Sequence, residues 1–381
     1  MTNTPHPDRP ASDQPPEPHR IALCHEWLSG RSGSEKTFEA MAQEFPRADL
    51  FSLTWNRSAE YDFGGRPVKT TALDRVSLLR GRNALQLPLM PLAWRYASRR
   101  EYDVVVTSSH ACSKGFYPGR RAIHLCYCYT PMRYLWLSNI DARHRRGARL
   151  TAPVSLALKS WDRRSAGWVD DFAAISQAVK DRIQDVYSRP SRVIHPPVAT
   201  DFYTPGDGER RDFVLAVSRM VPYKRLDLAI RAARLAGVPL VIAGSGPQEV
   251  ELRQIAEDLS HPVEFVISPD DAALRALYRT ARAVIFPPEE DFGIVPVEAQ
   301  ACGTPVVALA RGGSLDTVVD GVTGVLVPGQ SPDLFAEGLK MVLEGSFRTE
   351  DSVANARRFS RAQFRIRFRD WVLHAESGKG S

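Results

Sequence analysis

The chain has 381 residues, of which 43% are hydrophobic and 25% charged. This composition is typical of a globular protein, and the length predicts two domains. The chain has no apolar run of about 18 residues and no charged leader followed by an apolar stretch, which argues against a membrane-spanning protein and predicts a cytoplasmic one. Five scattered cysteines without a C-x-x-C pair argue against a disulfide framework and a zinc site.

The net charge of +6 indicates an anionic partner, and many basic residues of the first half lie among apolar and aromatic ones. The first basic cluster is Arg75, Arg80, Arg82, Arg95, Arg99 and Arg100. The second basic cluster is Arg143, Arg145, Arg146, Arg149, Lys159, Arg163 and Arg164. Such mixtures bind anionic lipid headgroups, which predicts peripheral contact with the inner face of the plasma membrane. Ordinary helices with solvated arginines are the alternative. No nucleic-acid-binding motif accompanies the charge, so nucleic acid is not expected.

The first ordered element is predicted at residues 20–24, a short apolar strand. Residues 1–18 before it are rich in proline and polar residues and predict a disordered tail. The loop after the strand contains Gly30 and Gly33, which let the backbone approach a ligand at the start of the following helix. Because the loop is not G-x-G-x-x-G, a dinucleotide oxidoreductase is poorly supported.

A second buried parallel strand is predicted where residues 103–109 lead into His110. In open α/β sheets, ligands bind beyond the carboxyl ends of the strands, so His110 is a candidate site residue. A satisfied structural histidine is the alternative at this position.

The middle of the chain contains the predicted link between two domains. Residues 172–175 and 177–183 read as a strand and a helix, with Ser176 as the N-cap. Residues 192–198 predict a strand that runs into prolines, and the next stretch is rich in Asp, Gly and Pro without periodicity. We therefore expect an N-terminal domain over residues 19–198 and a C-terminal domain over residues 199–357.

The second domain opens with a strand pattern at residues 213–218, followed by two cations on one short turn, Arg219 and Lys224. An arginine binds phosphate through a bidentate fork, and a lysine binds it as a point charge. The pair could therefore hold a diphosphate. Ordinary surface charges are the alternative.

An acidic loop and a short helix follow the apolar strand pattern at residues 283–286. Glu290 lies on the loop, the helix begins near Gly293 and Ile294, and Glu298 lies within it. The free N–H groups and dipole of a helix start favour a phosphate. A carboxylate accepts two or more hydrogen bonds, so two that face one crevice suit the hydroxyl groups of a nucleotide sugar. A solvated acidic turn is the alternative.

This stretch resembles the E-x7-E signature of the retaining family 4 glycosyltransferases (glycosyltransferase group 1). The similar residues continue through Cys-Gly-Thr-Pro-Val-Val-Ala to Gly312 and Gly313 and the turn at residues 320–324. The resemblance covers residues 20 to about 375. It implies an α/β protein of the GT-B fold, with two Rossmann-like, doubly wound domains facing across a cleft and a last helix, residues 358–375, that returns to the first domain.

The resemblance also implies roles for the candidate residues. Arg219 and Lys224 match the family's diphosphate clamp, which neutralises the leaving group without a metal or cofactor. His110 matches a histidine at the same strand end, which contacts a sugar hydroxyl. The expected catalytic residues are His110 and Glu290, and the expected donor-binding residues are Arg219, Lys224, Glu298, Gly293, Ile294, Gly30 and Gly33.

Two segments of the first half resemble mannosyltransferases of bacterial polysaccharide and O-antigen assembly. They are the His-Glu-Trp segment at residues 25–27 and the Thr-Pro-Met-Arg-Tyr segment at residues 130–134. The resemblance implies GDP-mannose as the donor, a lipid-linked glycan as the acceptor and Arg133 as an acceptor contact. Relatives often have His where this chain has Tyr129, which leaves an acid–base role there open. A UDP-hexose donor, a GT-B epimerase and a non-catalytic nucleotide-sugar-binding scaffold remain as alternatives.

Overall fold

The computed structural model describes residues 20–30, 32–76, 86–98, 100–136 and 152–375. The described strands are β1 (Ile21–Leu28), β2 (Asp49–Trp55), β3 (Val68–Thr70), β4 (Val104–Ser109), β5 (Ile123–Cys128), β6 (Asp171–Ala174), β7 (Arg192–Val193), β8 (Val214–Val217), β9 (Leu240–Gly244), β10 (Val263–Ile267), β11 (Ala283–Phe286), β12 (Val306–Leu309) and β13 (Gly324–Val327). They form two parallel sheets, in the orders β3-β2-β1-β4-β5-β6-β7 and β10-β9-β8-β11-β12-β13. We call the sheet that contains β1, together with its helices, the first unit, and the sheet that contains β8, together with its helices, the second unit.

The connections between strands are mostly helical. The described α-helices are α1 (Gly33–Glu44), α2 (Met90–Arg95), α3 (Arg133–Trp136), α4 (Ala152–Ala166), α5 (Gln177–Tyr187), α6 (Leu226–Ala236), α7 (Glu249–Asp258), α8 (Asp271–Thr280), α9 (Ile294–Ala301), α10 (Ser314–Thr317), α11 (Pro332–Glu344), α12 (Thr349–Arg357) and α13 (Arg361–His374). Alternate residues of β1 pack into different hydrophobic cores, Leu23 into one and Ala22 into another. Both faces of the first sheet are therefore covered, as the doubly wound prediction requires.

The strand order of each sheet reverses once, between β1 and β4 and between β8 and β11. In open α/β sheets, ligands bind beyond the carboxyl ends of the strands at such a switch point. The loops after these four strands carry most of the predicted site residues, so the topology brings together segments that are far apart in sequence.

The first strand is longer than predicted. It runs to Leu28, because β2 pairs with it as far as the Leu28–Trp55 register and β4 pairs with it as far as His25. Residues 25–27 therefore lie in the sheet and not in a loop. Conversely, the strand predicted at residues 192–198 is reduced to Arg192–Val193.

The chain passes between the two units twice, and the two passages touch. The backbone N–H of Val198 donates to the carbonyl oxygen of Phe359 at 2.9 Å. Beyond Phe359, α13 packs on the first unit, where Phe368 contacts Phe45 with ring centroids 5.9 Å apart. Arg365 Nε also donates to Glu44 Oε2 at 2.6 Å. The last helix therefore packs against the first unit.

Several predictions fall outside the described residues. They are the tail at residues 1–18 and the basic residues Arg80, Arg82, Arg99, Arg143, Arg145, Arg146 and Arg149. None of the described helices is long and apolar enough to cross a membrane.

Candidate functional site

A cavity of about 500 Å³ lies between the carboxyl ends of the two sheets. Its volume is within the range of small-molecule sites. Both units line it, with Gly33, Tyr129 and Arg133 from the first and Arg219, Lys224, Glu290, Gly293 and Ile294 from the second.

An ion pair lies among the charged residues that line this cavity. Lys224 Nζ contacts Glu290 Oε1, and the two side chains are 14% and 23% exposed. Arg219 lies nearby, with Nη2 donating to the hydroxyl of Tyr223 at 3.0 Å. Burial, together with the neighbouring charges of Arg219 and Arg133, lowers the pKa of Lys224 to about 7. The Asp291 carboxylate opposes this lowering, and a bound anion would also favour the charged ammonium.

Two helix starts meet beside these cations. Gly293, with φ +87°, caps α9, a backbone conformation that glycine adopts without strain. A Cβ on Gly33, the first residue of α1, would lie 2.7 Å from Ile294 Cδ1. A larger residue at position 33 would therefore require the terminal methyl group of Ile294 to move. The free N–H groups and dipoles of the two helix starts add positive potential at the cavity.

A second loop holds the acidic loop in place. The backbone N–H of Gly313 donates to the carbonyl oxygen of Glu290 at 2.8 Å. A Cβ on Gly312, whose φ is +61°, would lie 2.3 Å from that same oxygen. The two glycines are therefore required by the close approach of the loops.

Glu298 does not share the cavity of Glu290. It lies one helical turn after Ile294 and lines an adjoining cavity of about 780 Å³. Ile294 lines both the first cavity and this second one. The hydroxyl of Tyr278 donates to Glu298 Oε2 at 2.9 Å. Burial raises the pKa of Glu298 to about 7. The two cavities adjoin at Gly33, Ile294 and Val295, and the binding of one nucleotide sugar by both carboxylates stays a prediction.

His110 lies at the predicted strand end but does not line the first cavity. Its ring packs on Trp27 and Tyr129, with centroids 4.9 Å and 6.0 Å away. Its Nδ1 is buried without a hydrogen bond to the described residues, and burial lowers its pKa. Buried Glu26 fixes the loop, because Oε1 accepts from the N–H groups of Ala111 and Ser113 at 2.9 and 2.8 Å.

Two further predicted residues have surroundings that differ from expectation. Gly30 is outside the cavity lining, and a Cβ there would meet no atom within 4 Å. The role of Gly30 in binding the donor stays a prediction. Arg133 does line the cavity, but its Nη2 pairs with Asp291 Oδ2 of the second unit. No sequence signal pointed to Asp291 as its partner.

The carboxylate of Asp316 also connects the two units. Its Oδ2 accepts from the backbone N–H of Gln177 at 2.7 Å, so it caps α5. In the described part of the chain, no group of three or more His, Cys, Asp or Glu could hold a metal ion. The independence from metals and cofactors stays a prediction.

Two family models match successive parts of this chain. The model described as Glycosyltransferase Family 4 matches residues 31–202, and the one described as Glycosyl transferases group 1 matches residues 201–359. The chain belongs to the family 4 glycosyltransferases. The D-inositol 3-phosphate glycosyltransferase of Mycobacteroides abscessus is 40% identical over 219 residues, which are 50% of this glycosyltransferase and 49% of the relative. The match to this chain spans only 35% to 53% of the length of these curated relatives.

Solved structures support the same family fold. Anabaena HepE in complex with UDP and glucose has a TM-score of 0.65 at 19% identity, over 94% of this glycosyltransferase and 99% of HepE. Sucrose-phosphate synthase from Thermosynechococcus elongatus has a TM-score of 0.73 at 18% identity, over 95% and 100% of the two chains. At these identities the likeness shows the GT-B fold.

Proposed function

We propose that this family 4 glycosyltransferase transfers a hexose from a nucleotide diphosphate sugar to an acceptor hydroxyl with retention of configuration. The contact between Lys224 and Glu290 carries the proposal. It places a cation and a hydroxyl-binding carboxylate side by side at a cavity that Arg219 and two helix starts also line.

A bound diphosphate would compete with Glu290 for the Lys224 ammonium. The released carboxylate could then accept hydrogen bonds from the sugar hydroxyls. Arg219, Lys224 and the start of α9 would stabilise the charge that develops on the leaving diphosphate, where each well-placed donor contributes roughly 3 to 4 kcal/mol. In the same proposal, Glu298 binds the ribose and His110 binds a sugar hydroxyl.

We propose mannose from GDP-mannose as the transferred sugar and a lipid-linked glycan of cell-surface polysaccharide as the acceptor. The resemblance of residues 25–27 and 130–134 to mannosyltransferases supports this choice. A UDP-hexose is the second candidate donor, favoured by the complex of HepE with UDP and glucose. An inositol phosphate is the second candidate acceptor, favoured by the name of the curated relatives.

We also propose that the first unit rests on an anionic membrane at the cytoplasmic face. Around α2, Leu92 is 58% exposed and Tyr96 is 72% exposed. The Arg95 guanidinium lies 5.9 Å from the ring of Tyr117. This part of the first basic cluster therefore presents apolar, aromatic and basic side chains together, as interfacial surfaces do.

The donor is tested by thermal unfolding with GDP-mannose, GDP, UDP-glucose, UDP-galactose, UDP-GlcNAc and UDP. A ligand at 100 times its dissociation constant stabilises the fold by about 2.7 kcal/mol. Stabilisation by the GDP pair alone supports the mannosyl donor, and stabilisation by UDP ligands alone replaces it with the second candidate. No response to any nucleotide would contradict the proposed function.

Activity is tested by Lys224→Ala, which should lower the turnover of the responding donor by about 100-fold or more, because a leaving-group cation is lost. Lys340→Ala is the matched control, since Lys340 is an exposed lysine on α11. Binding of nucleotide by the wild type without any transfer or donor hydrolysis would instead support the scaffold alternative.

A further inference from the structure

Arg133 reaches the cavity from the opposite unit to the other two cations. It is the first residue of α3 and its side chain is 34% exposed. Arg219 and Lys224 line the same cavity from the second unit. The positive wall is therefore built from both units, although the two clamp residues of the sequence motif come from one.

Asp291 holds this arginine in place. Its Oδ2 pairs with Arg133, and its Oδ1 accepts from Arg182 Nη1 at 2.7 Å. Arg182 Nη1 is itself fixed by Thr130 Oγ1 at 2.8 Å. The Asp291 side chain is 14% exposed, so these are sheltered contacts that water screens less than surface pairs. In addition, Ser176 Oγ donates to the carbonyl oxygen of Asp291.

Two guanidinium groups meet one carboxylate at this point. Among the described contacts, Asp291 pairs with both Arg133 and Arg182. The Glu290 carboxylate similarly faces Lys224, with Arg219 in addition. The positive charge of Arg133 lowers the pKa of Lys224, which means that the two cations interact across the boundary between the units. An anion with two or more charges would relieve this repulsion.

We propose that Arg133 is a third cation of the diphosphate site, supplied by the first unit and held by Asp291, so that this site is complete only when the two units are closed on each other. Asp291 is then a positioning residue, which acts on the leaving group through Arg133. The inference rests on the proposed function, because it requires a nucleoside diphosphate in the cavity. It replaces the acceptor contact that sequence reasoning assigned to Arg133.

The test compares the affinities for a nucleoside diphosphate and for the monophosphate of the same base, measured by calorimetry. The base is the one that stabilises the wild type. Arg133→Ala should weaken diphosphate binding by roughly 10- to 100-fold, the value of a hydrogen bond to a charged group, and change monophosphate binding much less. A general loss of structure would weaken the binding of both ligands alike. The readout is therefore the ratio of the diphosphate affinity to the monophosphate affinity.

Two further variants keep the test decisive if Arg133→Ala is poorly folded. Arg133→Lys keeps the charge but loses the bidentate fork and should give an intermediate ratio. Asp291→Asn should lower the ratio in the same direction, since Arg133 is no longer held. Arg253→Ala is the matched control, because Arg253 pairs with Glu249 on the exposed face of α7.

The outcomes separate this inference from the proposed function. Wild-type protein that binds neither nucleotide contradicts both. Wild-type protein that prefers the diphosphate, together with an unchanged ratio in Arg133→Ala and Arg133→Lys, overturns the role of Arg133 and leaves the proposed function intact.

Discussion

The carboxyl group of Glu298 shows how one buried side chain links stability to pH. Burial raises its pKa from the ordinary value of 4.5 to about 7. Between these two pH values the folded protein holds a proton that the unfolded chain releases. The protonated Glu298 carboxyl therefore contributes its full stabilisation of the folded state below the unfolded pKa of 4.5, and this contribution is lost as the pH rises through about 7.

We expect Glu298→Gln to stabilise the ligand-free protein relative to the wild type more at about pH 8 than at about pH 5. The neutral amide keeps an acceptor for Tyr278 and has no charge to bury, which should favour the variant by on the order of 1 to 3 kcal/mol at the higher pH. Thermal unfolding at both pH values measures this. The control is Glu337→Gln, an exposed carboxyl on α11. Equal effects of Glu298→Gln at the two pH values would contradict the raised pKa.

At this scale the sequence identified residue types better than their partners. Lys224 and Glu290 could be selected because each follows a strand at a switch point, where ligands bind. The pairing of Asp291 with Arg182 and Arg133 could not be predicted, because they lie 109 and 158 positions away. Such contacts depend on how two units pack, and no local pattern encodes that.

Among the elements, α9 depends on the unusual backbone of Gly293. We expect Gly293→Ala to lower the free energy of unfolding by about 1 to 2 kcal/mol, because a Cβ disfavours positive φ. Nucleotide affinity should also fall about two- to fivefold, since the helix start would shift away from the phosphate. Gly237→Ala is the matched control. Gly237 has φ +69° and caps α6, with open space around a Cβ.

Thermal unfolding and nucleotide titration of both glycine variants distinguish the two effects. We expect similar losses of stability, but a loss of affinity only for Gly293→Ala. Unchanged nucleotide affinity in Gly293→Ala would remove the start of α9 from the binding site.

Element types were predictable where the pattern is local. Ser176 caps α5 as predicted, with its hydroxyl accepting from the N–H of Val179, because a capping residue and its helix are neighbours in sequence. Strand ends were less predictable. β1 extends to Leu28 through pairing with β2, and pairing partners are decided by the whole sheet.

At the scale of the molecule, the two doubly wound sheets were predictable because strands and helices alternate along the whole chain. The proposed membrane contact belongs to the first unit, and we expect the protein to bind anionic liposomes in a salt-sensitive manner. Leu92→Asp should reduce binding by adding a negative charge to the exposed apolar surface. Val250→Asp, at an 81% exposed position in the second unit, should not.

Co-sedimentation with anionic and neutral liposomes at low and high salt measures this contact. Liposome binding that does not depend on the salt concentration would argue against a membrane surface around α2. Equal losses of liposome binding in Leu92→Asp and Val250→Asp would argue against it as well.

The touching passages at Val198 and Phe359 make the second unit an insertion within the first. The chain leaves the first unit after β7 and returns to it as α13, and the exit and the return are hydrogen-bonded to each other. An inserted segment whose two ends are neighbours can be exchanged without a new linker. The part that carries Arg219, Lys224 and Glu290 is thus arranged as a cassette, and under the proposed function an exchange of this part would change the donor site and leave the first unit in place.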